Sequence, residues 1–205
     1  MKHSIPVFIA LAALGFSGGN LFAAQTNVVC RACCLRSLPP VAYTDKSIYQ
    51  ADSKWTTDGG KEIALGDLAG KPQVVLMFFS RCTTACPILA NDLKRIEAAL
   101  PAELRERVGF TLISFDSERD TSAALAEYRR DWKLPENWTL LHGRADDVSE
   151  LAALLGIQYK QTADGQFMHS NVITLLNAQG EISFQLTGLD ADPQVMANRI
   201  EQNIK

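Results

Sequence analysis

Residues Val74 to Phe79 read Val-Val-Leu-Met-Phe-Phe, six apolar side chains in succession without a polar alternation. A strand with one face in water alternates. A strand with no polar face must be covered on both sides, as central parallel strands are. Cys82 and Cys86 come directly after the run, then Pro87, which suits the first turn of a helix. Leu89, Leu93, Ile96 and Leu100 recur at spacings of four, three and four, one stripe of an amphipathic helix that Pro101 closes. The chain is thus expected to build outward from a buried strand with a helix laid across it.

The same alternation continues downstream. Val108 to Phe115 reads as a second strand and Ser122 to Trp132 as a helix with Leu125, Tyr128 and Trp132 on one side. Trp138 to Leu141 is a third strand, and Val148 to Leu155 a helix that Gly156 ends. Asn171 to Leu176, the turn Asn177-Ala178-Gln179-Gly180 and Ile182 to Leu186 form a hairpin, and Asp192-Pro193 opens a terminal helix. Upstream, Ile48 to Trp55 is expected to be extended, turning at Asp58-Gly59-Gly60 into a strand with Ile63 and Leu65. Gly66-Asp67-Leu68 makes a brief helical turn. The expected fold class is α/β: a thioredoxin-like fold with an N-terminal β-hairpin extension, occupying residues 47–205.

The chemistry concentrates where the first core strand meets its helix. A helix start offers unpaired N–H groups and a partial positive charge, and both favour thiolate over thiol. Two thiolates four positions apart can converge on one soft metal ion. They can also form a disulfide, so a redox-active pair, Cys82 and Cys86, is the competing reading. His169 stands just before the strand from Asn171, after the Asp164-Gly165 turn. In a thioredoxin-like sheet that entry faces the first helix. Two sulfurs and one imidazole suit copper, since thiolates favour Cu(I) and imidazole accommodates Cu(II), whereas zinc usually takes a fourth ligand. His142, at the end of the third strand, is read as a surface or supporting residue. Met168 is read as a packing residue, with a thioether ligand as the alternative. Asp116 and Asp120, near the same sheet edge, are read as capping the helix that begins near Thr121, with tuning of the site as the alternative.

The first residues have another purpose. Lys2 and His3 precede an apolar run from Ile5 to Phe16, broken by Gly18-Gly19-Asn20 before Ala23 and Ala24. Residues 1–24 have the layout of a secretory signal, with an uncleaved anchor as the alternative. Residues 25–46 form a cysteine-rich linker holding Cys30, Cys33, Cys34 and Pro39-Pro40. Those three cysteines could clamp an auxiliary copper ion or pair as a disulfide. The formal charge of −3 and the lack of any basic run exclude an electrostatic footprint for nucleic acid.

With these residues in place, the chain resembles the SCO/SenC family of copper-binding proteins. The likeness is carried by the strand Val74–Phe79 leading to Cys82-Thr83-Thr84-Ala85-Cys86-Pro87. Ser114-Phe115-Asp116-Ser117-Glu118-Arg119-Asp120-Thr121 and His169-Ser170 extend it, in order, over residues 48–204. The resemblance implies a copper metallochaperone binding one ion through Cys82, Cys86 and His169. Its expected partner is a copper-accepting apo-protein, such as a respiratory oxidase subunit, and its expected place is the periplasm or the outer side of the inner membrane. A thiol-disulfide reductase is the other role the resemblance carries. The chain departs from the family pattern at Met168, usually an acidic residue, at Ser117 and Ser122, often prolines, and in its cysteine-rich tail.

Overall fold

The computed structural model describes residues 43–204. Residues 1–24, expected to be a secretory signal, and Cys30, Cys33 and Cys34 of the linker lie outside the described residues. Of the linker's last residues, Tyr43 packs edge-on against Tyr49 at 5.7 Å.

The strands are β1 (Lys54–Thr57), β2 (Glu62–Ala64), β3 (Gln73–Phe78), β4 (Gly109–Ser114), β5 (Thr139–Gly143), β6 (Tyr159–Gln161), β7 (Phe167–His169), β8 (Val172–Leu176) and β9 (Ile182–Thr187). The helices are α1 (Ala85–Ala99), α2 (Ala102–Arg105), α3 (Ser122–Asp131), α4 (Ala145–Leu154) and α5 (Pro193–Ile204). Seven strands form one sheet in the order β2-β1-β5-β4-β3-β8-β9. Its centre, β5-β4-β3, is parallel, while β1 and β8 flank it antiparallel. Every residue of β3 and β4 is buried, which is what an unalternating apolar strand requires. The expected thioredoxin-like order of strands and helices is present, with the β1–β2 hairpin as its N-terminal extension.

Because β3, β4 and β5 run parallel, their C-terminal ends share one edge of the sheet, where βα loops gather. The cysteines follow β3 there. On α1 the stripe Leu89, Leu93 and Ile96 is buried against the sheet, as its spacing predicts. Among the described residues no helix is long and apolar enough to cross a membrane.

The structure departs from the sequence-based expectation in two places. Ile48–Gln50 is a 3-10 turn and not extended chain, because Ser47 Oγ accepts the Tyr49 N–H at 3.2 Å and both Ile48 and Tyr49 turn inward. Trp132 lies beside Tyr128 as expected, with ring centroids 6.0 Å apart, although as the residue that caps α3 it is about two-fifths exposed. The segment before β8, expected as a turn leading into the strand, is a second small sheet, β6 paired with β7.

Candidate metal centre

Phe79 follows the last residue of β3, and the Cys82 N–H donates to its carbonyl at 3.2 Å, bending the chain toward α1. The cap position of α1, Thr84, makes no side-chain bond to the helix. Cys82 takes over that role: its Sγ accepts the Cys86 N–H at 3.3 Å. The helix start thus holds one sulfur by a backbone donor and carries the other on its first turn. Both cysteines are buried, and Cys86 completely so.

His169 arrives on β7. Tyr159 of β6 lies opposite it in the ladder, and Ser170 N–H donates to the Gln158 carbonyl at 2.9 Å, closing the base of this hairpin. The imidazole is wedged among rings, 5.1 Å from Phe115 and edge-on at 6.2 Å from Phe79. Phe167 packs on Phe79 at 5.1 Å and Tyr159 stacks on Phe115 at 4.8 Å, so the hairpin rests on the aromatic ends of β3 and β4. His169 Nδ1 is 3.0 Å from the Ser170 carbonyl, which can only accept. The Nδ1–H therefore donates, leaving Nε2 with a free lone pair in the neutral ring.

The three donor atoms of Cys82, Cys86 and His169 lie within 4.8 Å of one another, and Cys86 Sγ is 3.6 Å from His169 Nε2. Metal–sulfur and metal–nitrogen bonds of about 2.3 and 2.05 Å, opened by 109–120°, separate S and N by roughly 3.5–3.8 Å. The S···N spacing already matches one edge of a coordinated ion. Two soft thiolates and an imidazole are a donor set for copper.

The electrostatics favour the thiolate of Cys82. Its pKa is lowered to about 3, chiefly by the hydrogen bond from the Cys86 thiol, with His169 and the Cys86 and Thr84 N–H groups adding to it. Cys86 is pushed up, because it donates that bond and is buried. Burial pulls the His169 pKa down, but hydrogen bonds with Cys82 and the Ser170 carbonyl outweigh it, and the net shift is upward.

Asp116 and Asp120 are not helix caps. Thr121 caps α3 itself, its side chain accepting the Ala124 N–H at 3.3 Å. Both carboxylates are buried beneath the site. Asp120 accepts Ser80 N–H at 2.9 Å, Ser80 O–H at 2.5 Å and Ser114 O–H at 2.5 Å, tying the ends of β3 and β4 together. Asp116 pairs with Arg119 at 2.5 Å. Met168 is not a packing residue: it is two-thirds exposed, as its place beside His169 on a short, two-sided strand allows. His142 sits on β5, two strands from β3, and is not among the converging donors. Ser122 O–H donates to the Thr57 carbonyl at 2.7 Å, so His142 Nε2–H donates to Ser122 Oγ at 3.1 Å.

Ser80 and Tyr128 carry no sequence signal that marks them as site residues, and Ser114 is marked only as the first residue of a stretch that carries the family resemblance. Tyr128, visible in the sequence only as part of the α3 stripe, packs on Phe78 at 4.9 Å, and its buried hydroxyl has no hydrogen-bond partner among the described residues. Burial raises its pKa, and the nearby Cys86, Cys82 and Asp120 charges raise it further.

Known proteins resemble this chain in sequence and fold. A Stutzerimonas stutzeri protein named for copper binding is 25% identical over 174 residues, spanning 80% of this chain and 78% of its own. Two solved structures superpose on the fold. Bradyrhizobium japonicum ScoI with copper bound has a TM-score of 0.64 at 22% identity, covering 74% of this chain and 96% of that one. BsSco, described as a member of the Sco family of cytochrome c oxidase assembly proteins, has a TM-score of 0.64 at 20% identity, covering 74% and 90%. The SCO1/SenC family model matches residues 41–205, and the chain belongs to that family.

Proposed function

We propose that this protein binds one copper ion through Cys82, Cys86 and His169 and hands it to an apo-protein, a respiratory oxidase subunit being the acceptor class. The observation that carries this reading is the convergence of two buried sulfurs and an imidazole nitrogen with a free lone pair on one point. The copper bound by the B. japonicum relative and the oxidase-assembly role attached to BsSco support the choice of metal and client. Three ligands leave a coordination position for an incoming thiolate, which ligand exchange requires. Delivery takes place after export, on the outer side of the membrane, in keeping with the layout of residues 1–24.

The protein's own groups prepare the transfer. Cys82 is held as thiolate by the start of α1, and His169 presents Nε2 because Ser170 occupies Nδ1. Copper supplies the Lewis acidity that keeps both sulfurs deprotonated. An acceptor thiolate enters from the His169 side, since the cysteines are closed off by the core.

Purified protein titrated with Cu(I) against a competing chelator is expected to take one equivalent. Cys82→Ser, Cys86→Ser and His169→Ala should each lose tight binding, and wild-type retention in the His169 variant would overturn the assignment. A second reading, thiol-disulfide exchange, is favoured by the depressed Cys82 thiol beside a raised Cys86 thiol, the division of labour of an attacking and a resolving sulfur. Metal-free turnover of a disulfide substrate that survives His169→Ala would support that reading over copper delivery.

A further inference from the structure

β6 and β7 carry His169, yet within the sheets they pair only with each other. Their position against the rest of the domain depends on the packing of Tyr159, Phe167 and His169 on Phe79 and Phe115, and on one further side chain. Arg119, in the loop between β4 and α3, sends Nε to Asp116 Oδ2 at 2.5 Å and donates from Nη2 to the carbonyl of Gly165. Gly165 forms the turn between β6 and β7. Its φ of +79° lies in the left-handed region, and a Cβ there would come within 2.7 Å of Arg119 Nη1. The turn is shaped to let the guanidinium in.

The other end of this bridge is fixed. Asp116 N–H donates to Ser114 Oγ at 2.9 Å, Ser114 O–H donates to Asp120, and Asp120 also accepts from Ser80, two residues before Cys82. One continuous run of hydrogen bonds therefore joins the tip of the hairpin that bears the imidazole to the loop that bears the first sulfur.

We propose that Arg119 is a positioning residue for His169, latching the β6–β7 hairpin by its bridge from Asp116 to the Gly165 carbonyl so that the third ligand is held against the two cysteines. This rests on the proposed copper site. With the latch closed, Nε2 lies 3.6 Å from Cys86 Sγ. With it released, the hairpin keeps its ring contacts and the approach of His169 to Cys86, and the two thiolates remain as the dependable donors. Two thiolates alone still hold Cu(I), though less tightly than with the imidazole, whereas Cu(II) loses most without it. Arg119 thereby acts more strongly on Cu(II) than on Cu(I).

The test combines Arg119→Gln, Arg119→Lys, Gly165→Ala, His169→Ala and the Arg119→Gln/His169→Ala double variant. Arg119→Gln should weaken Cu(II) binding about 10- to 100-fold, the usual cost of losing a residue that orients a metal ligand, with a smaller loss for Cu(I). Its sulfur-to-copper charge-transfer band should shift toward that of His169→Ala. The double variant should bind no more weakly than His169→Ala alone, because Arg119 has nothing left to position. Arg119→Lys should recover part of the loss, since an ammonium cannot span both acceptors in one fork. Gly165→Ala, which crowds the latch from the other side, should move the same readouts in the same direction.

In metal-free protein the His169 ring resonances should move in Arg119→Gln, and amides of residues 159–169 should exchange faster, while the rest of the domain keeps its protection. Additive losses in the double variant, or unchanged ring resonances in metal-free Arg119→Gln, would overturn the latch. Wild-type copper binding by His169→Ala would instead remove the copper reading, and the metal-free resonances and exchange rates would still decide whether Arg119 holds the hairpin.

Discussion

Cys82 Sγ accepts the backbone N–H of Cys86 at 3.3 Å, so the first sulfur caps the helix that carries the second. The two cysteines are therefore unequal before any metal arrives. One is stabilised as an anion by a helix terminus and by its neighbour's thiol, and the other is the buried donor of that interaction.

In reduced, metal-free protein this inequality predicts selective alkylation. With its pKa near 3, Cys82 is a thiolate throughout pH 5–7, whereas an ordinary thiol of pKa about 8.5 is almost wholly protonated there. Iodoacetamide at pH 6 should label Cys82 well ahead of Cys86, read by peptide mass spectrometry. Cys86→Ser should slow labelling of Cys82 at that pH. Equal labelling of both sulfurs would mean that the helix start does not polarise the pair.

Copper should act as a folding ligand. The donors come from a loop after β3, the first turn of α1 and the β6–β7 hairpin, segments far apart in sequence that only the folded chain brings together. Binding to the native state alone stabilises by about 4 kcal/mol at a thousandfold excess over Kd. At about 2–4 °C per kcal/mol for a domain of this size, Tm should rise by roughly 10 °C. Chelator should reverse the rise, and Cys86→Ala should abolish it.

How far the sequence reveals this site depends on what kind of signal each part leaves. The buried strand, the cysteine pair and the α1 stripe are legible because burial on two faces, a soft-ligand spacing and a helical period each leave a pattern within a dozen residues. His169 is legible as a ligand only by combining an expected strand order with the position of a turn. Its hairpin is not legible, since β6 and β7 have three residues each and half-exposed faces that give no alternation to read. Asp120 misleads for a related reason. An acidic residue before a helix looks like a cap, and only the register of β3 on β4 brings Ser80 and Ser114 to its two oxygens.

Gly143 supplies a control remote from the metal. It pairs across the ladder with Trp55, and an added Cβ would lie 2.8 Å from the indole Cε3, in a ring that is fully buried. Such overpacking costs about 1–3 kcal/mol. Gly143→Ala should therefore lower Tm by several degrees, with copper stoichiometry unchanged. A lost copper site in a folded Gly143→Ala protein would show that the β1–β5 edge reaches the metal centre, which the strand order argues against.

Asp120 is the residue whose substitution should separate stability from electrostatics. It is a buried carboxylate that holds Ser80 and Ser114 with three donated hydrogen bonds, and no Lys, Arg or His side chain among the described residues lies within 4 Å to neutralise it. Hydrogen bonds to a charged group contribute about 1.5–3 kcal/mol each, although they are not additive here because two go to one serine. Asp120→Ala should cost about 3 kcal/mol or more by urea denaturation, and Asp120→Asn less, since the amide oxygen still accepts. The charge has a second effect that the amide cannot reproduce. A fixed anion beneath two thiolates disfavours further negative charge, and therefore favours Cu(II), with its extra positive charge, over Cu(I). Asp120→Asn should raise the Cu(II)/Cu(I) midpoint potential and lower the pH at which Cys86 of the metal-free protein is alkylated. Asp120→Ala should shift both in the same direction despite its larger loss of stability. If the potential instead tracks stability across the two variants, Asp120 serves as a tie between β3 and β4 and not as a charge acting on the metal.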